Sequence, residues 1–333
     1  MTTHMVQHSN VIPSEILEAY YSNGIAHCSP IPGGEVNITL LVTDNNGERT
    51  ILQQLNTIYD TSMAEDYEAV SAHLRKSGWE MATALKAHDG TTYISDSTEQ
   101  LWRAFRYIES TPGRDLEGEL SAITALGGLV GALHHSLATL DYEPKFGRPH
   151  SHDANYQAEQ LAELLPKITN PGHRMLAEEM IALSREDAID TQPTQLIHGD
   201  TRIGNTLVRQ DTPFTFVDWD GLKRANPLTD VGDMLQSTVG EIIMKGKSCS
   251  VIQLHPMLLA YYEKAELHTD KQAFIDNSLA AARSIAVNLG MRHLIDSVED
   301  RYFVWGTTRF KSRFEFNVFC AQRQRQVYAI LKA

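Results

Sequence analysis

One stretch constrains the rest of the chain: Gln195-Leu-Ile-His-Gly-Asp-Thr-Arg-Ile-Gly-Asn-Thr-Leu-Val208, followed by Phe214-Thr-Phe-Val-Asp-Trp-Asp220. Two apolar runs, Leu196-Ile197 and Phe214 to Val217, read as short buried strands. Polar residues follow each run: His198, Asp200 and Asn205 after the first, Asp218 and Asp220 after the second. A lone His-Gly-Asp is a weak signal. The whole order, with a strand before each polar group, is a strong one.

The residue types fit one chemistry. Phosphoryl transfer to a hydroxyl needs a carboxylate within hydrogen-bond reach of the attacking oxygen, held on a fixed loop. It needs oxygen ligands for magnesium, from one or two side chains. It also gains from a cation near the transferred group. Asp200 is the candidate base. Asn205 and Asp218 are the candidate magnesium ligands, with Asp220 a second carboxylate beside them. Arg202 is the candidate cation for the γ-phosphate. His198 is expected to fix the loop by hydrogen bonds. Asp230 and Asp233, in Pro227-Leu-Thr-Asp-Val-Gly-Asp233, are expected to cap the following helix or brace the loop.

A chain of 333 residues fits two packed lobes better than one core. With 42% apolar and 21% charged residues it reads as a globular enzyme rather than a disordered chain. The net charge of −13, spread along the chain, argues against nucleic acid and anionic membranes as partners and leaves a cationic substrate open. Cys28, Cys249 and Cys320 form neither a metal spacing nor a disulfide framework, which points to a reducing cytoplasm. No apolar run reaches membrane-spanning length, and the polar Met1 to Ser9 is no secretion signal.

The first lobe, residues 1–108, is expected to be a small antiparallel sheet. A helix covers Glu15 to Tyr21, Pro30-Ile-Pro-Gly-Gly34 is a turn, and strands cover Val36 to Thr43 and Thr50 to Leu55 around Asn45-Asn-Gly47. Gly33 and Gly34 stand at the mouth of that hairpin, where backbone N–H groups can approach phosphates; from the residues alone a plain turn is the favoured reading. A helix over Ser62 to Lys76 follows, then strands over Ala82 to Ala87, Thr91 to Ser95 and Gln100 to Ile108. The backbone of Arg106, Tyr107 and Ile108, just before the breaker Ser110-Thr-Pro-Gly113, is placed to meet an adenine edge. The remainder, residues 109–333, is expected to be mostly helical: Leu120 to Leu140, Tyr156 to Leu165, Arg174 to Ser184, Val231 to Met244, Met257 to Lys264, Asp276 to Leu294 and Arg313 to Leu331. His134 and His135 read as structural rather than metal-binding. Within Gly147 to Asp153, His150, His152 and Asp153 suit a substrate-side role better than zinc. The aromatic residues Tyr302, Phe303, Trp305 and Phe310 suit either a sugar face or the core.

His198-Gly-Asp-Thr-Arg-Ile-Gly-Asn205 with Val217-Asp-Trp-Asp220 resembles the aminoglycoside phosphotransferase and choline kinase superfamily, which has a protein-kinase-like fold. Within it, Gly34 to Thr43 with Ile51-Leu-Gln-Gln-Leu-Asn56, Trp102 to Ile108, Asp230-Val-Gly-Asp233, His293-Leu-Ile-Asp296 and Asn317 to Gln322 are similar to stretches of the N-acetylhexosamine 1-kinases. The resemblance implies an α+β, bilobal fold and an ATP- and magnesium-dependent kinase. The acceptor would be a sugar, through the anomeric hydroxyl of an N-acetylhexosamine. Other acceptors in view are an aminoglycoside, homoserine or choline, and a nucleotide-binding pseudokinase is the reading from another class. Gln53 stands where a protein kinase carries its phosphate-gripping lysine. Glutamine can hydrogen-bond a phosphate but brings no charge, so Arg202 and the metal would carry more of the γ-phosphate. Glu65 and Glu68 on the helix that follows are then a solvated face rather than partners of a lysine.

Overall fold

The structure, a computed structural model, describes residues 12–31, 36–147, 150–187, 195–300, 302–303 and 309–333. The chain divides into two compact units, one of Met1–Ser71 with Met81–Glu109 and one of Ala72–Glu80 with Ser110–Ala333.

The first unit is an antiparallel sheet with helices beside it. Helix α1 (Ser14–Tyr20) precedes strands β1 (Ile25–Pro30), β2 (Ile38–Asp44) and β3 (Arg49–Gln54). Helix α2 (Met63–Lys76) begins in this unit and ends in the other. Strands β4 (Tyr93–Ser95) and β5 (Leu101–Arg106) complete the sheet, in the order β1-β2-β3-β5-β4. The apolar face of the sheet buries Leu40, Val42, Leu52, Trp102 and Ala104 against Ile16 of α1. Each such large side chain taken out of water stabilises the fold by roughly 1.5–3 kcal/mol.

β1 is not expected from the sequence, and one expected strand does not form. β1 carries no clean alternation, because as an edge strand it buries no residue fully: Ile25 and Cys28 pack partly against the core and His27 is exposed. Ala82 to Ala87 does not form a strand: it touches β5 through the single bridge Ala84 to Phe105. Gly33 and Gly34 lie outside the described residues.

The second unit is mostly helical. Its first elements are β6 (Thr111–Pro112), α3 (Leu120–Leu137), α4 (Ala154–Leu164) and α5 (Pro171–Leu183). Strands β7 (Gln195–Ile197), β8 (Thr206–Arg209), β9 (Thr212–Phe216) and β10 (Lys223–Ala225) follow. Then come α6 (Leu228–Met244), α7 (His255–Lys264), α8 (Lys271–Glu299) and α9 (Arg313–Lys332). Helix α3 is apolar on nearly every side and packs closely on α7. A side chain at Gly131 would stand 2.4 Å from the Tyr261 carbonyl, so only glycine allows this approach. Helices α4, α5, α8 and α9 share a second core built on Leu161, Met180, Val287, Met291 and Leu294. Phe303 belongs to this interior rather than to a sugar face, stacked on His293 at 3.9 Å between centroids. Trp305 lies outside the described residues.

The strands position the functional loops. β7 pairs antiparallel with β10, Ile197 opposite Lys223. β8 and β9 form a hairpin, with Gln210 and Asp211 both at positive φ in a two-residue turn. Residues 198–205 therefore connect β7 to β8, and residues 217–222 connect β9 to β10.

Candidate active site

The first of these loops is fixed from below by two buried carboxylates of α6. Asp230 Oδ2 accepts the His198 N–H at 2.8 Å and Oδ1 accepts the Gly199 N–H at 2.8 Å. Asp233 Oδ2 accepts the Thr201 N–H at 2.9 Å, and the Thr201 hydroxyl donates to the Asp230 carbonyl at 2.6 Å. Neither aspartate caps its helix, whose N-cap is Pro227 with no side-chain hydrogen bond. Of the two expected roles, capping and bracing, they take the second. Gly199 has φ 82°, and a side chain on it would meet the Gly221 carbonyl at 2.1 Å. The two loops thus touch through glycine backbones.

Asp230 has a further partner that the sequence did not disclose. His134 of α3 bonds its Oδ2 through Nε2 at 3.0 Å, and the other ring nitrogen bonds the Tyr261 hydroxyl of α7 at 2.8 Å. All three side chains are buried. Burial alone would push the Asp230 carboxyl up. The hydrogen bond and charge of His134, with the Gly199 N–H, outweigh it and hold Asp230 below the ordinary carboxylate range.

His198 is fully enclosed, 4.5 Å from the Trp219 ring and 5.0 Å from Phe216 between centroids. Its Nε2 bonds the Val217 carbonyl at 3.1 Å, and its Nδ1 accepts the Asp200 N–H at 3.3 Å. That pairing requires the neutral Nε2–H tautomer. Burial lowers the ring's pKa against the pull of Asp230 and Asp200, in agreement with a neutral ring. His198 therefore ties one loop to the other and has no proton to exchange with a ligand.

The reactive side chains stand on this frame. Asp200 keeps part of its carboxylate at the surface, with Arg202 Nε 3.7 Å from Oδ1. Asn205 donates through Nδ2 to the Asp200 carbonyl at 3.1 Å, and its own carbonyl accepts the Val217 N–H at 2.8 Å. Asp218 lies in the left-handed region, φ 64° and ψ 60°, a conformation rare for a residue with a side chain. Strain of that kind is kept where it aims a side chain. Asp220, in the turn after it, is buried. Asn205, Asp218 and Asp220 together offer amide and carboxylate oxygens, the donor set that suits a hard divalent cation. Among the described residues no group of three or more His, Cys, Asp and Glu side chains is gathered at metal-binding distance, so this set depends on the Asn205 amide and two carboxylates. His150 stacks on Tyr156, Asp153 caps α4, and Lys223 Nζ bonds His152 Nδ1 at 2.6 Å.

In the first unit, Gln53 is not isolated from charge. Its Oε1 accepts from Arg103 Nε at 2.8 Å, and Gln53 and Arg103 face each other across β3 and β5. The buried Arg103 also donates to the Tyr93 hydroxyl at 3.2 Å. Strand register brought this guanidinium beside Gln53, and no local sequence signal marked it. The Arg106 N–H donates to Thr83 at 2.8 Å and the Tyr107 N–H to Arg49 at 3.1 Å. Those two groups are committed within the sheet, so an adenine edge would have to be met by other atoms of the segment ending at Ile108.

The model of the phosphotransferase enzyme family matches residues 27–270. No curated protein matches this sequence. Among solved structures, a microcompartment-associated aminopropanol kinase is 16% identical with TM-score 0.67, covering 97% of this chain and 96% of its own. An amicoumacin kinase in complex with AMP-PNP, Ca2+ and Ami is 14% identical with TM-score 0.64, covering 98% of this chain and 94% of its own. An ethanolamine kinase of Plasmodium vivax is 12% identical with TM-score 0.56, covering 91% and 82%. At these identities the likeness speaks for the fold, which is protein-kinase-like. The chain is a member of the phosphotransferase enzyme family.

Proposed function

We propose that the protein transfers the γ-phosphate of ATP to a hydroxyl of a small polar acceptor, with Asp200 as general base. The observation that carries this is the placement of the Asp200 carboxylate. It is partly exposed, 3.7 Å from Arg202 Nε, on a loop whose backbone is pinned by the buried Asp230 and Asp233. A base on a loop so fixed can take the acceptor proton without moving. Arg202 would offset charge on the transferred group. Asn205, Asp218 and Asp220 would hold magnesium, which when bound neutralises phosphate charge. Gln53, polarised by Arg103, and the segment Arg106–Ile108 would contact the nucleotide, as would Gly33 and Gly34.

For the acceptor, the motif resemblance favours a sugar, through the anomeric hydroxyl of an N-acetylhexosamine. A second reading is an amino alcohol or aminoglycoside, favoured by the aminopropanol and amicoumacin kinases among the similar structures. An ATP-consumption screen over free sugars, amino alcohols and aminoglycosides, with NMR of the product, decides between them. Phosphate on a non-anomeric hydroxyl removes the 1-kinase reading. The base is tested by Asp200→Asn. Turnover is expected to fall by about three orders of magnitude with nucleotide affinity retained. Near-normal turnover in that variant would remove Asp200 from its role.

A further inference from the structure

Helix α6 carries Asp233, Gln236, Gly240 and Glu241 at i, i+3, i+7 and i+8, which places them on one face. The face begins at the catalytic loop, since Asp233 holds Thr201. It runs for about 12 Å at the helical rise, enough length for a molecule of sugar size. Glu241 at its far end feels the charges of Glu117, Arg202 and Arg323. Glu117 in turn reaches the catalytic loop, its Oε1 lying 3.2 Å from where a side chain on Gly204 would begin. Arg323 of α9 stands over Gly240, with Nε 3.9 Å from the position a side chain there would take.

Two polar groups on this face are buried without a hydrogen-bond partner among the described residues: Gln236 Oε1 and Arg323 Nε. Gln236 is 3% exposed and its amide is bonded at one end only, Nε2 to Asp233 Oδ1 at 3.0 Å. Leaving a buried polar atom unmatched is costly, and a bound molecule is one way to supply the missing partner. Glu241, Glu117 and Arg202 are only half-buried, which leaves the face reachable from outside.

We propose that this face of α6, with Arg323 of α9, is the acceptor subsite, and that it takes an uncharged polyhydroxylated molecule. Hydroxyls other than the reacting one bond Gln236, Glu241 and Arg323. The proposal rests on Asp200 being the base, since that fixes where the reacting hydroxyl must lie. A hydroxyl both donates and accepts, so it satisfies either end of the Gln236 amide and also the guanidinium N–H. The charges agree. Burial and the Glu117 charge push the Glu241 carboxyl up to about 8 against the arginines, and burial with the Asp200 charge raises Asp233 to about 8. With both acids protonated at neutral pH, Arg202 and Arg323 offset Glu117 and Asp200. The face then offers no net attraction to an ammonium group.

The test is steady-state kinetics of the full-length protein on the acceptor screen, with melting temperatures to check folding. A neutral sugar or polyol is expected to be the best acceptor. Arg323→Gln and Glu241→Ala are expected to raise its KM by about tenfold, the loss of one buried hydrogen bond, with kcat changed less than about threefold. Glu241→Gln, which keeps shape and hydrogen-bonding capacity without charge, is expected to leave KM within about threefold. If Arg323→Gln unfolds the protein, Arg323→Lys takes its place. An unmoved acceptor KM in both Arg323→Gln and Glu241→Ala overturns the subsite. Turnover of amine-bearing acceptors alone, or a Glu241→Gln variant as impaired as Glu241→Ala, overturns the neutral class, because it would mean that a carboxylate charge is being recognised. Either result leaves the kinase reading standing as long as Asp200→Asn abolishes transfer, so the two failures are distinguishable.

Discussion

At the scale of single residues, the candidate site is held by buried side chains in series: Asp230 and Asp233 hold the loop that carries Asp200, and His134 holds Asp230. Asp200, Asn205 and Asp218 announce themselves through the order in which they follow two short apolar runs. His134 gives no such sign. It lies 96 positions from Asp230 in sequence, in an apolar helix where a histidine reads as filler. Arg103 was hidden in the same way, since only the register of β3 against β5 sets it beside Gln53. The His134 contact carries a definite expectation. His134→Leu removes one of the donors to a fully buried carboxylate, which should cost about 1–3 kcal/mol in urea unfolding. It should also lower kcat by about tenfold, through loss of loop placement rather than loss of acceptor binding. His134→Gln, whose amide N–H can still reach Asp230, should recover part of both. Equal stability of the leucine variant and the native protein would show that Asp230 does not depend on the histidine.

Among the elements, α6 joins packing to chemistry. Its apolar residues Val231, Met234, Leu235 and Val239 are buried, while Asp230 and Asp233 turn to the loop that carries the base. Raised carboxyls on this helix make stability depend on pH. Asp233 and Glu241 keep their protons in the folded state up to about 8, whereas the unfolded chain releases them in the ordinary carboxylate range. Between those limits the folded state binds more protons, so their contribution to stability falls as pH rises from about 4 to about 8. Melting temperatures between pH 5 and pH 9 should show this decline, and Glu241→Gln should flatten it; an identical slope in the variant would place the titration elsewhere. Most helices were readable from periodicity, because burial on one face imprints a 3.6-residue repeat. Edge strand β1 carries no sequence signal, and the Ala82–Ala87 segment carries a false one, for a related reason. The first lacks a buried face to impose alternation, and the second has apolar alternation but only one bridge to the sheet.

For the whole molecule, the family match ends at residue 270, at the N-cap of α8. The loops bearing Asp200 and Asp218 fall inside it, whereas α8 and α9, with Arg323, fall beyond it. The motif accordingly names a reaction class more firmly than an acceptor. No helix among the described residues is long and apolar enough to cross a membrane. The bonding of the catalytic loop has a consequence that can be timed. The amides of His198, Gly199 and Thr201 belong to no helix and no sheet, yet each is locked onto an aspartate of α6, two onto Asp230 and one onto Asp233. Amide protons in a connecting loop ordinarily exchange with deuterium in the fastest class, because local opening is enough to release them. These three should instead exchange as slowly as the interior of α6. In Asp230→Asn, the amides of His198 and Gly199 should speed up while those of the α8 core stay protected. A loop with the exchange clock of a core helix is one that ligands meet already set.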